Sequence, residues 1–226
     1  MLTKKNKFYK VGTGCQFHGK VNIGRNTILG DYVILGYPKE SRILKFQQKK
    51  HFNSEKESLT TIGINCQIDS HVIIHEGTLI KNNVTINDRC RIGYDCIIGE
   101  NSRIEYSAYI CDRVKIGNNS VIAGFICDGT VIEEYSTVMG QLVHKYSKPE
   151  LQWRVNEPSP FIENHSVIGF GAIIIGGIKI GHHSYIAAGA KVTKNIPSKS
   201  VVVGLNKIIP YNKWRGKQLS KKFWDW

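Results

Sequence analysis

His144 is the residue of this chain best placed to do chemistry, because it opens a polar stretch at the point where a hydrophobic repeat stops. The repeat places an aliphatic residue at every sixth position, and His144 lies six residues after Val138, where the next inward-facing residue is expected. A neutral imidazole titrates near physiological pH and can take a proton from an attacking amine or hydroxyl group. We therefore predict that His144 is a general base rather than an ordinary loop residue.

The element that must position His144 is a long repeat. Eleven isoleucines follow one another at a constant spacing of six residues: Ile62, Ile68, Ile74, Ile80, Ile86, Ile92, Ile98, Ile104, Ile110, Ile116 and Ile122. An α-helix repeats about every 3.6 residues and a half-buried strand about every two, so neither produces this spacing. A six-residue period is typical of a β-helix, in which each short strand is followed by a tight corner.

The same register extends over most of the 226 residues, with two polar excursions at residues 37–61 and 144–161. One slot of the hexad holds small residues, and two large residues that occupy it lie eighteen residues apart, so three hexads make one turn of a three-sided prism. The 24 hexads give about eight turns. We predict an all-β domain, a parallel β-helix, over residues 1–209, and a short helical and aromatic capping segment over residues 210–226.

The composition favours an anionic partner and a reducing compartment. The formal net charge of +13 suits a phosphorylated small molecule, nucleic acid or an acidic membrane surface, although a merely solvated basic surface is the alternative. Two of the six cysteines, Cys111 and Cys127, have no evident role, and the other four fall in the small slot and are predicted to be reduced and buried: Cys15, Cys66, Cys90 and Cys96. We find no disulfide framework, signal segment or membrane-length apolar run, and we expect a cytoplasmic protein without integral membrane contact.

Three features of the sequence closely resemble the hexapeptide-repeat acyltransferases. They are the [Ile/Val/Leu]-Gly-x-x-[small]-x pattern, the long interruption before Ile162, and the stretch IGGIKIGHHSYIAAGAKVTKNIPSKSVVVG. The resemblance covers roughly residues 11–209 and implies a left-handed β-helix, a homotrimer and acyl transfer from acetyl-CoA to a small molecule. The left hand rests on the resemblance alone, because parallel crossovers are otherwise right-handed. In members that act on galactosides or amino sugars, the catalytic histidine lies in a loop before the last coils, and His144 matches that position.

The resemblance also implies two contacts near the reacting carbonyl. A backbone N–H of Phe170 or Gly171 would stabilise the oxyanion that forms during acyl transfer. The corner at Ala188 and Gly189 would let the pantetheine arm of acetyl-CoA approach the backbone closely.

Basic residues further along match the contacts to the phosphate-bearing end of acetyl-CoA. Thr193 and Lys194 lie in the matching VTKNIP segment, and lysine suits a phosphate as a point charge. Lys207 is a further candidate, although this chain has GLNKIIP where members usually have Gly-x-Pro-Ala and then a basic residue. No metal is expected.

Contacts to the acceptor are predicted from the loop at 144–161 and from the turn before it. Asp128 lies where the repeat slips in phase, in place of an expected isoleucine, and it could orient an amine, fix the imidazole or cap an irregular corner. Glu134 lies nearby in the sequence. Tyr146 and Trp153 in the loop could stack on a sugar or a base.

Several functions stay open. The number of coils favours the sugar-amine N-acetyltransferases of surface polysaccharide assembly, which act on nucleotide-linked amino sugars. The terminal KKFWDW instead resembles the tail of the xenobiotic acetyltransferases that modify antibiotics, and transfer to a hydroxyl is also open. A non-catalytic structural β-helix subunit is an alternative of another class. A zinc site of the γ-carbonic anhydrase kind and nucleic-acid binding are disfavoured, since the sequence offers neither the required histidine spacing nor a recognised nucleic-acid module.

Overall fold

The computed structural model describes residues 9–47, 58–145 and 158–214. They form a left-handed parallel β-helix of about nine turns, in which short strands build three sheets, A, B and C, around a triangular column. Each turn visits the sheets in that order, so that A–B, B–C and C–A corners join them. The fold class predicted from the six-residue period is confirmed.

The strands are mostly two residues long. Sheet A contains Lys10–Val11, Ile28–Leu29, Gln67–Ile68, Thr85–Ile86, Arg103–Ile104, Val121–Ile122, Thr137–Val138, Val167–Ile168, Tyr185–Ile186, Ser200–Val203 and, antiparallel to the rest, Lys207–Pro210. Sheet B contains Gln16–Phe17, Ile34–Tyr37, Ile73–His75, Arg91–Ile92, Tyr109–Ile110, Phe125–Ile126, Gln141–Val143, Ile173–Ile175 and Lys191–Val192. Sheet C contains Val21–Ile23, Thr60–Ile62, Leu79–Ile80, Ile97–Ile98, Lys115–Ile116, Val131–Ile132, Phe161–Ile162 and Lys179–Ile180. The described residues also include an α-helix, Glu40–Gln47, and a 3₁₀-helix, Tyr211–Lys213.

The core is a set of aliphatic columns that run along the axis. Ile86, for example, pairs in register with Ile68 on the turn before and Ile104 on the turn after, and all three side chains are fully buried. Burying one such isoleucine contributes about 2 kcal/mol to stability, so every turn stabilises its neighbours.

The structure has about one turn more than the eight counted from the sequence. The extra turn is built from four inward residues that fall outside the counted hexads, all of them buried: Ile126, Leu142, Ile196 and Val202. Ile126 and Leu142 follow A–B corners that are two residues shorter than the others. At the first of these corners Gly124 has φ of +112°, and a Cβ there would collide with the carbonyl oxygen of Gly140. Glycine is therefore required where the corner is cut short.

Residues with positive φ recur at the C–A corners, where they form a second set of columns. Asn65 donates a side-chain hydrogen bond to Asn83 on the next turn, at 3.2 Å. In later turns the same position holds Tyr135, His165 and His183, whose rings stack with centroid distances of 4.9 and 4.6 Å.

Two excursions interrupt the column at its B–C corner. The first follows the strand that ends at Tyr37 and precedes the strand that begins at Thr60, and the second lies between Val143 and Phe161. At the C-terminal end, Lys207–Pro210 pairs antiparallel with Ser200–Val203. Residues 215–226, most of the predicted capping segment, lie outside the described residues.

Candidate active site

His144 is half-buried at the start of the B–C corner, directly after the sheet B strand Gln141–Val143. It does not occupy the inward position that the spacing predicts. Leu142 is the fully buried inward residue, because the A–B corner before it is shortened. The expectation that His144 replaces a core isoleucine is therefore wrong, and its imidazole belongs to the corner instead.

The second excursion leaves and returns beside His144. The amide of Gly176 donates to the carbonyl of Val143 at 2.9 Å, and a Cβ added at Gly176 would lie 3.0 Å from Cβ of Lys145. A Cβ at Gly177 would collide with Pro158, at the returning end of the excursion. Two successive glycines on the following turn therefore let both ends of the excursion cross this corner.

Asp128 occupies the same corner position as His144, one turn earlier. Its Oδ1 accepts the backbone N–H of Asp112 at 2.8 Å, and its Oδ2 lies 3.7 Å from Nη2 of Arg113. The hydroxyl of Ser159 donates to its carbonyl oxygen. The hexad repeat is shortened at Gly124 and not at Asp128, so the expectation that Asp128 replaces an inward isoleucine is wrong. The contacts of its carboxylate are those of a corner cap.

The predicted acetyl-CoA residues around Phe170 and Ala188 lie at successive A–B corners. Gly171 and Gly189 have φ of +65° and +70°, and a Cβ added at either would meet no described atom within 4 Å. Phe170 is 78% exposed. This part of the surface is a bare backbone edge flanked by an exposed ring, a shape that suits close approach by an extended ligand.

The two candidate oxyanion donors differ in what they already bind. The N–H of Gly171 donates to the carbonyl of Met139 at 3.3 Å, whereas the N–H of Phe170 has no acceptor in the part of the chain that the structure describes. In earlier turns the equivalent N–H is capped by a carboxylate on the next turn, as at Ser70, which donates to Asp88 at 2.9 Å. Ala188 follows Phe170 in this column and cannot cap it, so Phe170 is the available donor of the two.

Thr193 and Lys194 share the B–C corner with His144, two turns further on. The backbone N–H of Thr193 donates to Oδ1 of Asn206 at 2.9 Å, and Nδ2 of Asn206 donates back to the Thr193 hydroxyl at 2.9 Å. Lys194 is exposed. Sequence reasoning missed Asn206, and the only signal for it was an asparagine in a Gly-Leu-Asn turn.

The remaining predicted residues are scattered. Lys207 begins the antiparallel strand and is exposed. Glu134 lies at the C–A corner, so the described chain does not bring it together with His144 at the B–C corner. Tyr146 and Trp153 lie outside the described residues, and their predicted roles are not addressed by the structure.

Sheet B separates the two groups of candidate residues. Gly171 at one edge and Gly176 at the other are five residues of extended chain apart, which is about 16 Å. The His144 corner and the Phe170 corner of one chain are therefore held apart by a rigid strand.

Most of the cysteines are buried, but Cys15, which was predicted to be buried, is half-buried. Cys90 and Cys96 are buried in the small slot, and burial raises their pKa values to about 11 and about 12. Burial likewise raises the pKa of Cys111 to about 12 and that of Cys127 to about 11, and both occupy the first position of a B–C corner. Across residues 9–47, 58–145 and 158–214, no group of three or more histidine, cysteine or acidic side chains is arranged to hold a metal ion.

The triangular column with its hexad register defines the class: a left-handed β-helix of the hexapeptide-repeat kind. Two segments of the chain match known repeat families. Residues 159–194 match the bacterial transferase hexapeptide (six repeats), and residues 89–123 match the hexapeptide repeat of succinyl-transferase. Two segments of the chain therefore match the hexapeptide repeat of bacterial transferases, in agreement with the fold.

Individual relatives are similar over short segments. The chain is 39% identical over 54 residues to the bifunctional protein GlmU of Prochlorococcus marinus, covering 24% of this chain and 12% of that protein. It is 41% identical over 44 residues to 2,3,4,5-tetrahydropyridine-2,6-dicarboxylate N-acetyltransferase of Enterococcus faecalis, covering 20% and 19% of the two chains. The chain thus spans less than a fifth of the length of each of these relatives.

A solved structure resembles almost the whole chain. UDP-N-acetylglucosamine acyltransferase from Campylobacter jejuni has a TM-score of 0.55 at 15% identity, over 93% of this chain and 81% of that one. At that identity the likeness concerns the fold alone. Among the described residues, no helix has the length and apolar character needed to cross a bilayer.

Proposed function

We propose that this chain is an acyl-CoA-dependent acyltransferase that moves an acetyl group to the amino group, or a hydroxyl, of a nucleotide-linked amino sugar, with His144 as general base. The observation that carries the proposal is the place of His144 at a corner crossed by both ends of a long excursion, next to two glycines. The names of the relatives, which include an N-acetyltransferase, support acyl transfer.

The proposed chemistry needs one base and one oxyanion donor. His144 takes a proton from the acceptor nitrogen or oxygen as that atom attacks the thioester carbonyl carbon. The N–H of Phe170 donates to the carbonyl oxygen as it gains negative charge. The intermediate then collapses, the carbon–sulfur bond breaks, and the proton on His144 passes to the leaving thiolate to give free CoA and the acetylated acceptor.

The surface around the candidate donor residues fits a CoA ester. The bare edge at Gly171 and Gly189 leaves room for a pantetheine arm along the backbone. Lys194, on the same corner as His144, offers an exposed cation for a phosphate, and Lys207 offers another. Neither residue has an ion-pair partner among the described residues, so both charges are available to a ligand.

We further propose that three copies assemble so that the His144 corner of one copy faces the Phe170 corner of the next. Since sheet B holds these corners about 16 Å apart on one chain, an arrangement of separate copies brings them together most simply. A cytoplasmic enzyme of surface polysaccharide synthesis is the setting that such an acceptor suggests. Antibiotic O-acetylation is the alternative activity.

A thiol-release assay with acetyl-CoA and a panel of acceptors tests the proposal. The panel contains UDP- and dTDP-linked amino sugars, simple glycosides and aminoglycoside or phenicol antibiotics. We expect CoA release to be fastest with a nucleotide-linked amino sugar, with the acetylated product visible by mass spectrometry. Fastest release with an antibiotic would favour the xenobiotic alternative, and absence of release with every acceptor would favour a non-catalytic β-helix subunit.

A further inference from the structure

A cavity of about 600 Å³ lies along the same B–C edge of the β-helix as His144, but on turns nearer the N-terminus. It is not part of the site described above. One wall is the start of the first excursion, from Tyr37 to Ser41, and the other is the sheet B surface and B–C corner at His75, Arg91, Tyr94 and Asp112. Its volume falls within the range of small-molecule sites.

The wall formed by the excursion is firmly attached. Glu76 at the corner forms a buried ion pair with Arg42 of the helix, and its Oε1 accepts the backbone N–H of Lys39 at 2.9 Å. The amide of Glu76 donates to the carbonyl of Tyr37 at 2.9 Å. Because the side chain and the backbone amide of one buried glutamate together hold three residues of the excursion, the cavity is preformed rather than a gap beneath a loose loop.

The charges that line the cavity balance, which limits what can occupy it. Lys39 and Arg91 contribute two positive charges, and Glu40 and Asp112 contribute two negative ones. Lys39 is already bound to Asp95 at 2.8 Å. A multiply charged group deep in the cavity would lack counter-charges, so its occupant is an uncharged polar group.

The cavity is lined by aromatic rings and by hydrogen-bonding side chains. Nζ of Lys39 lies 5.0 Å from the centroid of the Tyr94 ring, and Arg113 donates to the Tyr94 hydroxyl at 2.9 Å. His75 is 7% exposed, and its Nδ1 has no hydrogen-bond partner among the residues that the structure describes. Burial lowers the pKa of His75 to about 4, so this imidazole adds no charge to the cavity wall.

Arg91 lies on the side of the cavity that leads to His144. Its guanidinium lies 4.9 Å from the centroid of the Tyr109 ring and makes no ion pair within the described residues. Tyr109 stacks on Phe125 at 5.6 Å, and Phe125 pairs with Gln141 in the strand that ends beside His144. Asp112, on the cavity wall, lies two turns before His144, or about 10 Å along the axis.

We propose that this cavity binds the nucleoside of a nucleotide-linked acceptor, that Arg91 binds its diphosphate, and that the Tyr109–Phe125 surface leads its sugar to His144. Tyrosine rings stack on a base, and carboxylates accept hydrogen bonds from ribose hydroxyls. A guanidinium pairs with phosphate oxygens in a bidentate fork. The inference rests on the proposed function, because it takes the reacting sugar to lie at His144.

Calorimetric titration of the full-length protein with UDP and with dTDP, in the absence of acetyl-CoA, tests this assignment. We expect one of them to bind, and Arg91→Gln to weaken that binding at least about tenfold, the loss of one charge-assisted contact. Arg103→Gln is the matched control, because Arg103 holds the same hexad position on sheet A and should bind the nucleotide as the unmodified protein does. A second variant, Asp112→Asn, keeps the side-chain oxygen that caps the Tyr94 amide and should also weaken binding.

Three results would overturn the assignment: neither nucleotide binds, Arg91→Gln and Asp112→Asn bind as tightly as the unmodified protein, or binding depends on Lys194 instead. The last result would place the nucleotide at the site proposed for CoA. The outcome is separable from the proposed function, because His144→Ala should lose transfer yet bind the nucleotide normally. If His144→Ala retained acyl transfer, the proposed function would be wrong, whether or not the nucleotide binds.

Discussion

Asp128 and His144 show how one corner position can serve two purposes. They occupy the same place on successive turns, but Asp128 turns its carboxylate to a backbone N–H of the preceding turn, as Asp112 does for the amide of Tyr94 at 3.1 Å. A histidine at this place takes the position of such a cap. The corner thereby presents an imidazole instead of a carboxylate.

Replacing His144 by alanine should lower kcat by about 10²–10⁴-fold, the usual contribution of a positioned general base. The melting temperature should stay close to that of the unmodified protein, because Leu142 and not His144 fills the core. The measurement is steady-state CoA release together with a thermal melt. His182→Ala, a half-buried histidine at a C–A corner, is the control and should keep full activity. Equal activity in the two variants would remove His144 from the mechanism.

A residue's surroundings could be predicted from the sequence where its position in the hexad determines them. Cys90 and Cys96 were predicted to be buried because they fill the small slot of the hexad. The sequence favoured a corner cap at Asp128 and left contact with the acceptor or the imidazole open, because capping depends on which amide the turn before leaves open. Asn206 was missed, because its bond to Thr193 joins two segments that the repeat does not relate.

At the scale of the strand and corner, a six-residue spacing fixes which side chain points inward. In the sheet C strand Ile97–Ile98, the second isoleucine is fully buried in the column and the first faces outward. The same two-residue pattern recurs around the helix. Whether a side chain points into the core is therefore decided by its position in the hexad rather than by its residue type.

Ile98→Ala should destabilise the protein by about 2–5 kcal/mol, because it removes buried surface and leaves a cavity between two turns. Ile97→Ala is the matched control, with the same residue type one position away on the outer surface, and should cost about 1 kcal/mol or less. Urea unfolding at one fixed protein concentration measures both values. Similar losses in the two variants would contradict the assigned register.

The sequence predicted the regular strands well and the shortened corners poorly. The hexad period has no means to represent a four-residue step, so Ile126 and Leu142 were not counted and His144 was assigned an inward position it does not have. Gly124 was the local signal, since its φ of +112° is open to glycine and strained for other residues. A glycine is too common at ordinary corners of this chain to be recognised as different.

At the scale of the whole molecule, the candidate site is divided. His144 and Lys194 lie at the B–C corner, and Phe170 and Gly189 lie at the A–B corner, with the width of sheet B between them. The sequence could not show which corner each of these four residues occupies. The geometry makes assembly part of the proposed mechanism, since a neighbouring copy can supply the missing corner.

Mixing two inactive variants tests this shared site most directly. His144→Ala removes the base, and Ala188→Trp fills the bare edge of the A–B corner with a bulky ring while leaving His144 in place. Each variant alone should be inactive. Trimers formed by refolding equal amounts together should regain activity, up to about a quarter of that of the unmodified protein, because one seam in four joins an intact His144 to an intact A–B corner. Mixed trimers that are confirmed by native mass spectrometry and remain as inactive as the parents would contradict a site shared between copies.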